Sequence, residues 1–244
     1  DNSDDKNFPP GKRQYTLDFA YHGGIYRDVW MIGKSSVAIT DALEADKVAG
    51  GGVFVHFDNI SGKKAEVYVD TEVHNSGKRT RTVAVETVLA DAGDVPVKRV
   101  SQQVKLQAGE SKTVRQRFAV RNPKLWSPDS PYLYRIQSRV KAGHEVLDGG
   151  VTRVGIRKAE FKGKDGFWLN GKPFGQLVGA NRHQDFAYVG NALPNSQQWR
   201  DAKRLRDAGC TIIRVAHYPQ DPAFMDACDE MGLFVICLLY TSPS

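Results

Sequence analysis

The 244-residue chain is 41% hydrophobic, which is enough apolar content for the core of one large domain or of two ordinary ones. Lysine and arginine outnumber aspartate and glutamate by 34 to 28, but this surplus is scattered along strand-like segments and forms no basic block. The longest apolar run, residues 233–240, is too short to cross a membrane. We therefore expect neither a nucleic acid nor a membrane as a partner.

The first predicted element is a piece of a β-domain, residues 1–33. Residues 1–12 are polar and rich in turn formers, and the segment YTLDFAYHGGIYRDVWMIG then carries aromatic and branched residues around Gly23 and Gly24. This pattern predicts two strands joined at a close-packed bend. Because two strands cannot bury a core alone, we expect this region to be the end of a larger domain.

Residues 34–157 show the two-residue period of β-strands. Between residues 67 and 74 the odd-numbered side chains are Val, Val, Thr and Val, whereas the even-numbered ones are Tyr, Asp, Glu and His. Further strands are predicted in TVAVETVLA, VKRVSQQVKL, KTVRQRFAV and YLYRIQSRV, with turns at 75–77, 108–110 and 148–150. Short strands at this spacing predict an immunoglobulin-like β-sandwich.

Residues 158–236 change to a mixed pattern. FGQLVGA, TIIRVA and LFVICLL predict three buried strands. Between them we expect one helix that Ser196 caps and a second helix that begins at Asp221 and ends at Gly232. Apolar strands that alternate with helices are typical of a parallel α/β arrangement.

Polar side chains follow the first two of these strands. His183 comes shortly after the first strand, and Arg214 and His217 lie at the end of the second. Because functional groups gather at the C-terminal ends of parallel strands, the spacing predicts that these three side chains line one pocket. The alternative for each histidine is a hydrogen-bonded structural role.

Four stretches of the sequence, in order, carry a family resemblance. They are DFAYHGGIYRDVW, NPKLWSPDSPYLYRI with RVGIRKAEF, FWLNGKPFGQLVGANRHQD, and IIRVAHYPQDPAFMDACDEMGLFVI. The first resembles the end of the N-terminal jelly-roll of glycoside hydrolase family 2, and the second resembles the last strands of its immunoglobulin-like domain. The other two resemble the first three strands of its catalytic (β/α)₈ TIM barrel. The implied domains are residues 1–33, 34–157 and 158–236, followed by a non-native tail, 237–244.

The resemblance implies roles for individual residues. His183 and His217 match histidines that hydrogen-bond the glycone, and Arg214 matches the arginine that pairs with the nucleophilic carboxylate. Asp18 matches a jelly-roll aspartate that binds sugar hydroxyls, although it could instead cap a turn. Asn181 also belongs to the substrate-binding motif.

Three further interpretations concern the residues around this motif. We read Asn181 and Arg182 mainly as scaffolding of the pocket rim, and we do not expect Asp185 to touch substrate. Both catalytic glutamates of the family lie on later barrel strands, and fewer than 80 residues follow Gly166. Since a barrel takes about 250 residues, we expect the chain to stop before either glutamate and to be inactive alone.

The preferred interpretation is a fragment of a retaining, β-galactosidase-like β-glycosidase that hydrolyses O-glycosidic bonds. The alternative is a non-catalytic carbohydrate-binding or domain-bridging β-sandwich module. We expect a carbohydrate substrate and no cofactor; the resemblance allows a divalent or monovalent metal and a homo-oligomer in the whole enzyme. A periplasmic or extracellular location is implied by the resemblance only.

Overall fold

The computed structural model describes residues 22–237, which form two compact units. One unit is residues 32–175, and the other contains residues 22–31 together with 176–237. Asp18 and most of the predicted tail, residues 238–244, lie outside the described residues. Residues 25–33 form no strand, contrary to the sequence prediction, and the apolar side chains of Val29, Trp30 and Met31 are exposed. No helix within residues 22–237 combines the length and apolar character needed to span a membrane.

Two antiparallel four-stranded sheets build the unit of residues 32–175. Its strands are β1 (Val37–Ile39), β2 (Val53–Asp58), β3 (Lys64–Asn75), β4 (Arg81–Ala90), β5 (Pro96–Leu106), β6 (Ser111–Arg121), β7 (Tyr134–Ala142) and β8 (Glu145–Val154). In the first sheet β3 pairs with β1, β2 and β6, and in the second the order is β5-β4-β7-β8. The predicted β-sandwich is confirmed.

The core of the sandwich lies between these sheets. The odd-numbered side chains of β3 from residue 67 to residue 73 are all fully buried, as their alternation predicts. Val67 and Val69 pack with Leu89 of β4, Phe118 of β6 and Ile136 of β7, and Val73 belongs to a second apolar cluster. Burial of a side chain of this size contributes about 1.5–3 kcal/mol to folding, so this layer is the main source of the unit's stability.

The even-numbered face of β3 differs from the sequence prediction because its acidic residues are buried too. Asp70 is 6% exposed and accepts two hydrogen bonds from Arg115, at 2.8 and 2.6 Å. Glu66 accepts bonds from Lys64 and Arg117, both of which hold the pKa of its carboxyl down, to about 2. Long basic side chains therefore cover acids that the alternation had placed in solvent.

One predicted turn is wrong. The Asp148-Gly149-Gly150 cluster lies inside β8, where it pairs with β7. The Asp148 carboxylate accepts the Ile39 N–H at 2.8 Å, and a β-carbon at Gly149 would come within 2.8 Å of the Ser138 carbonyl oxygen. Gly149 therefore allows the close approach of a neighbouring backbone, and the cluster continues the strand without a turn.

A small antiparallel sheet completes this unit. It contains β9 (Ala159–Phe161), β10 (Phe167–Leu169) and β11 (Lys172–Pro173), in the order β11-β10-β9. The Asn170 side chain accepts the Lys158 N–H at 3.0 Å and donates to the Trp126 carbonyl oxygen at 3.0 Å. A single amide therefore joins the small sheet to the end of the sandwich.

The second unit contains a parallel three-stranded sheet and two helices. The elements in chain order are β12 (Gly179–Arg182), α1 (Asn195–Asp207), β13 (Ile212–Val215), α2 (Pro222–Met231) and β14 (Phe234–Cys237). The sheet order is β12-β13-β14, which confirms the predicted strand and helix succession. The first strand begins later than predicted, at Gly179, where a β-carbon would overlap the Ile212 carbonyl oxygen.

The helix ends agree with the sequence in one case and differ in the other. The Asp221 carboxylate accepts the Ala223 N–H at 2.9 Å and Gly232 ends α2 in a left-handed conformation, as predicted. The Ser196 cap was wrong, because α1 already begins at Asn195, directly after the extended Pro194. The carbonyl oxygen of Pro194 accepts the first helical bond, from the Gln197 N–H at 2.9 Å.

Candidate active site

The candidate site lies at the C-terminal ends of β12 and β13. Ile213 and Val215 face the helices and pack in the core with residues of α1 and α2. Arg214 therefore lies on the opposite face of the sheet, where it pairs in register with Asn181. Its Nη1 donates a hydrogen bond to the Asn181 Oδ1 at 3.2 Å. The inner face of the sheet is thus polar where the two strands end.

The two histidines predicted from separate strands lie together. The ring centroids of His183 and His217 are 5.3 Å apart with an interplanar angle of 73°, and both side chains are half-buried. The Tyr218 ring lies 6.2 Å from the His183 ring. The peptide bond between Ala216 and His217 is cis. Three rings with polar atoms therefore lie close together beside the Asn181–Arg214 pair.

Arg182 points to the other face of the sheet and is 5% exposed. Its guanidinium donates to the Gln220 Oε1 at 2.5 Å, to the Gln198 Oε1 at 2.8 Å and to the Asp201 Oδ2 at 2.7 Å, and it lies 3.9 Å from the Phe224 ring centroid. One cation therefore links β12 to α1, to α2 and to the loop that follows His217. Sequence reasoning assigned Arg182 to scaffolding without identifying these partners.

Gln184 forms a second link between the same segments. Its backbone N–H donates to the Tyr218 hydroxyl at 3.2 Å, and its side-chain Oε1 accepts the Asp221 N–H at 2.9 Å. Burial raises the pKa of the Tyr218 phenol, so this hydroxyl stays protonated at neutral pH. No sequence pattern pointed to Gln184 or Gln220, because glutamines are ordinarily surface residues.

Carboxylates are sparse on this rim. Asp185 is exposed, whereas Asp221 is 7% exposed and caps α2, and Asp201 is engaged by Arg182. Across the loops that follow β12 and β13, Asp185 and Asp221 are the only carboxylates, so one free carboxylate remains there. A pair of carboxyl groups able to divide acid and nucleophile roles is not present on these two strand ends.

Residues 22–31, which the sequence predicts to end a jelly-roll, pack on the loops of this same unit. Arg27 donates a hydrogen bond to the Pro219 carbonyl oxygen, close to His217 in sequence. Asn195, the first residue of α1, donates to the Asp28 carboxylate at 3.0 Å. This segment therefore braces the loop that carries one of the two site histidines.

The cysteines and the acidic side chains suggest no metal centre in the described part of the chain. Within residues 22–237 no three His, Cys, Asp or Glu side chains are placed to hold a metal ion. Cys228 is buried in the helix core, and burial raises the pKa of its thiol to about 12, which makes it unreactive at neutral pH. Cys210 is half-buried and Cys237 is exposed.

Comparison with protein families identifies the chain. Residues 52–157 match the model of glycosyl hydrolases family 2, and residues 160–238 match the TIM barrel domain of the same family. Together the two models cover most of the chain in the order that the family requires. The chain belongs to glycosyl hydrolase family 2.

Individual relatives agree with this assignment. A β-galactosidase of Thermoanaerobacter pseudethanolicus is 34% identical over 236 residues, which is 96% of this chain and 29% of that protein. A β-glucuronidase of Bacteroides fragilis is 31% identical over 88% of this chain and 30% of its own length. The solved structure of a Bacteroides uniformis β-glucuronidase superposes with a TM-score of 0.82 at 30% identity, covering 90% of this chain and 26% of that one. The chain thus spans less than a third of these relatives.

Proposed function

We propose that the chain is part of a retaining, β-galactosidase-like β-glycosidase that hydrolyses O-glycosidic bonds in carbohydrates. One observation carries the proposal: His183 and His217 meet, ring to ring, at the ends of two parallel strands, beside the Asn181–Arg214 pair. The names of the relatives, β-galactosidase and β-glucuronidase, support the same reaction class. Carbohydrate is accordingly the proposed substrate.

The histidines act on the glycone. A pyranose presents hydroxyl groups around its ring, so its recognition requires several directional donors and acceptors in one place. Neutral imidazole offers one donor and one acceptor, and two rings 5.3 Å apart can bond neighbouring hydroxyls. Such bonds accelerate hydrolysis to the extent that they strengthen as the ring flattens towards the oxocarbenium-like state. We assign Asp18 a further sugar contact on the family resemblance alone.

Arg214 holds the nucleophile. A guanidinium has five N–H donors, and the neutral Asn181 amide engages only one of them at 3.2 Å. The remaining donors can form a paired interaction with a carboxylate, which keeps that carboxylate ionised and oriented. Asn181 in turn fixes the direction of the guanidinium, so both residues of the pair serve the same group.

The acid and the nucleophile come from other strands of the barrel. A retaining mechanism needs two carboxyl groups about 5.5 Å apart, and the loops that follow β12 and β13 offer Asp185 as their one free carboxylate. A single carboxylate cannot supply both roles. On this proposal the 244-residue chain alone does not hydrolyse glycosides.

The test is release of nitrophenol from a panel of aryl β-galactosides, β-glucuronides and β-mannosides. The 244-residue chain is assayed beside the whole enzyme that contains it. We expect turnover by the whole enzyme, fastest on the β-galactoside, and none by the chain. Turnover by the chain that is lost in Asp185→Asn would refute the assignment of both carboxylates to other strands, and an inert whole enzyme would refute the reaction class.

A further inference from the structure

The turn between β3 and β4, residues 75–81, presents three cations in four residues. We call this segment, NSGKRTR, the basic turn. Lys78, Arg79 and Arg81 are all exposed, and together with Ser36 and Gly77 they line an open cavity of about 290 Å³. The cavity belongs to the sandwich unit, and no residue of the candidate active site lines it.

The cations of the basic turn have no acidic partners. Within residues 22–237 none of Lys78, Arg79 and Arg81 forms an ion pair, whereas two arginines of β6 pair with acids of β3. Arg115 pairs there with Asp70, and Arg117 pairs with Glu66. Positive charge at the cavity is therefore left available for a ligand, since nothing in the described residues neutralises it.

A buried asparagine holds the basic turn in place. Asn75 is fully buried, and its side-chain Nδ2 donates to the carbonyl oxygens of Arg79, Leu106 and Gln107 at 2.9, 3.3 and 2.9 Å. Its Oδ1 accepts the Gly77 N–H at 3.0 Å. The backbone that carries the cations is thus ordered before any ligand arrives, which lowers the entropy cost of binding.

The size of the cavity indicates what it binds. The open cavity of about 290 Å³ lies near the lower end of the range of small-molecule sites, about 300–1,000 Å³, and offers more room than a single sulfate or phosphate ion needs. A single sugar unit with its acidic group is a better match, because the arginines can pair with the oxyanion while the Ser36 hydroxyl meets a sugar hydroxyl. We propose that the basic turn and Ser36 form a binding site for an acidic saccharide unit, one that bears a carboxylate or a sulfate.

This site does not depend on the proposed hydrolysis, since none of its residues belongs to β12, to β13 or to the loops in which His183 and His217 lie. It would give the protein a second carbohydrate-binding site, one that is selective for acidic saccharides. Because the interacting charges are exposed, binding should also weaken as the salt concentration rises.

Calorimetric titration of the 244-residue chain tests the proposal. The probes are a glucuronate-containing disaccharide, a sulfated disaccharide, the corresponding neutral disaccharide and inorganic sulfate. We expect the two acidic disaccharides to bind, with the neutral disaccharide and the sulfate ion at least about tenfold weaker. Equal binding of sulfate ion and sulfated disaccharide would overturn the saccharide assignment, and equal binding of the neutral sugar would overturn the role of charge.

Substitutions locate the binding. Arg79→Gln and Arg81→Gln should each weaken the binding of the acidic disaccharides about tenfold or more. Both substitutions should leave the melting temperature unchanged, because both side chains are exposed. Arg121→Gln is the matched control: it removes the same charge from the sandwich at the opposite end of β3, opposite Lys64. A loss in Arg121→Gln as large as the loss in Arg79→Gln would mean that binding follows net charge, and the site would be rejected.

Discussion

Arg214 and Asn181 lie directly opposite each other in the parallel register of β12 and β13, and the guanidinium donates to the amide oxygen at 3.2 Å. Their partners on the other face of the same strands, Arg182 and Val215, are buried against the helices. The two arginines therefore lie on opposite faces of the sheet: Arg214 faces the candidate site, and Arg182 faces the helices.

The first prediction concerns His217. In the whole enzyme, His217→Ala should lower kcat/KM about 100-fold, equivalent to about 3 kcal/mol of transition-state stabilisation, because the proposed function assigns the ring hydrogen bonds to the glycone. Steady-state kinetics with an aryl β-galactoside measures the loss. His144→Ala, in the exposed turn between β7 and β8, is the control and should be silent. Normal kinetics with a depressed melting temperature would return His217 to a structural role.

The second prediction concerns the buried arginine. Arg182→Met leaves the buried Gln198 and Gln220 oxygens without their donor and removes the cation that pairs with Asp201. It should therefore destabilise the second unit by about 2–4 kcal/mol. Urea unfolding followed by tryptophan fluorescence reports the change, with Trp199 of α1 as the local probe. Arg214→Met, the same substitution on the neighbouring strand, breaks one exposed hydrogen bond and should cost less than about 1 kcal/mol. Equal losses would contradict the division of roles.

The third prediction concerns acid stability. Hydrogen bonds from Lys64, Arg117 and Asn59 lower the pKa of Glu66 from 4.5 to about 2. A carboxyl whose folded-state pKa is depressed contributes stability that is present above pH 4.5 and is lost as the pH falls towards 2. The difference in melting temperature between wild type and Glu66→Gln should therefore be largest near neutral pH and shrink below pH 4.5. A pH-independent difference would exclude the ion pairs as its cause.

The same comparison has an internal control. Glu145 is exposed at the start of β8 and forms no ion pair with any residue in the described range 22–237. Glu145→Gln should track wild type within error from pH 7 to pH 2.5. A parallel change in both variants would point to the general loss of negative charge and not to Glu66.

The fourth prediction concerns autonomous folding. The excised segment 32–175 should unfold cooperatively, because it contains both sheets and the core between them. The shorter segment 34–157 lacks Asn170, which bonds the Trp126 carbonyl oxygen, and should melt at a lower temperature. Calorimetry of the two segments makes the comparison. A flat, non-cooperative transition for the longer segment would show that the sandwich needs the rest of the chain.

The sequence predicted the structure best where a single periodic pattern determines the positions of several residues. Alternation placed the odd-numbered side chains of β3 in the core, and the position of His183 and His217 at strand ends brought them to one rim. Sequence-based prediction failed where the burial of a residue depends on partners that are distant in the sequence. Glu66 and Asp70 look solvent-facing in a strand, and only the arginines of β6, 45 or more residues away, explain their burial.

Arg182 illustrates the same limit within the site. In the sequence Asn181 and Arg182 both look like scaffolding of the rim, yet Arg182 points to the helices and Asn181 to the opposite face of the sheet. Which side of a strand faces a pocket depends on the register with its neighbour, and register is a property of two segments. The sequence therefore predicted the rim but could not separate its inner residues from its buried support.

Gly179 limits which positions near the candidate site can be substituted. Any side chain there would collide with the Ile212 carbonyl oxygen and push β12 away from β13. Substitution of Gly179 would therefore change the distance between the two strands and disturb the alignment of Asn181 with Arg214. Residues 185–189, which are all exposed, carry no such constraint. If the proposed sugar recognition holds, a directed-evolution library that aims at a new specificity should randomise that loop and keep the glycine.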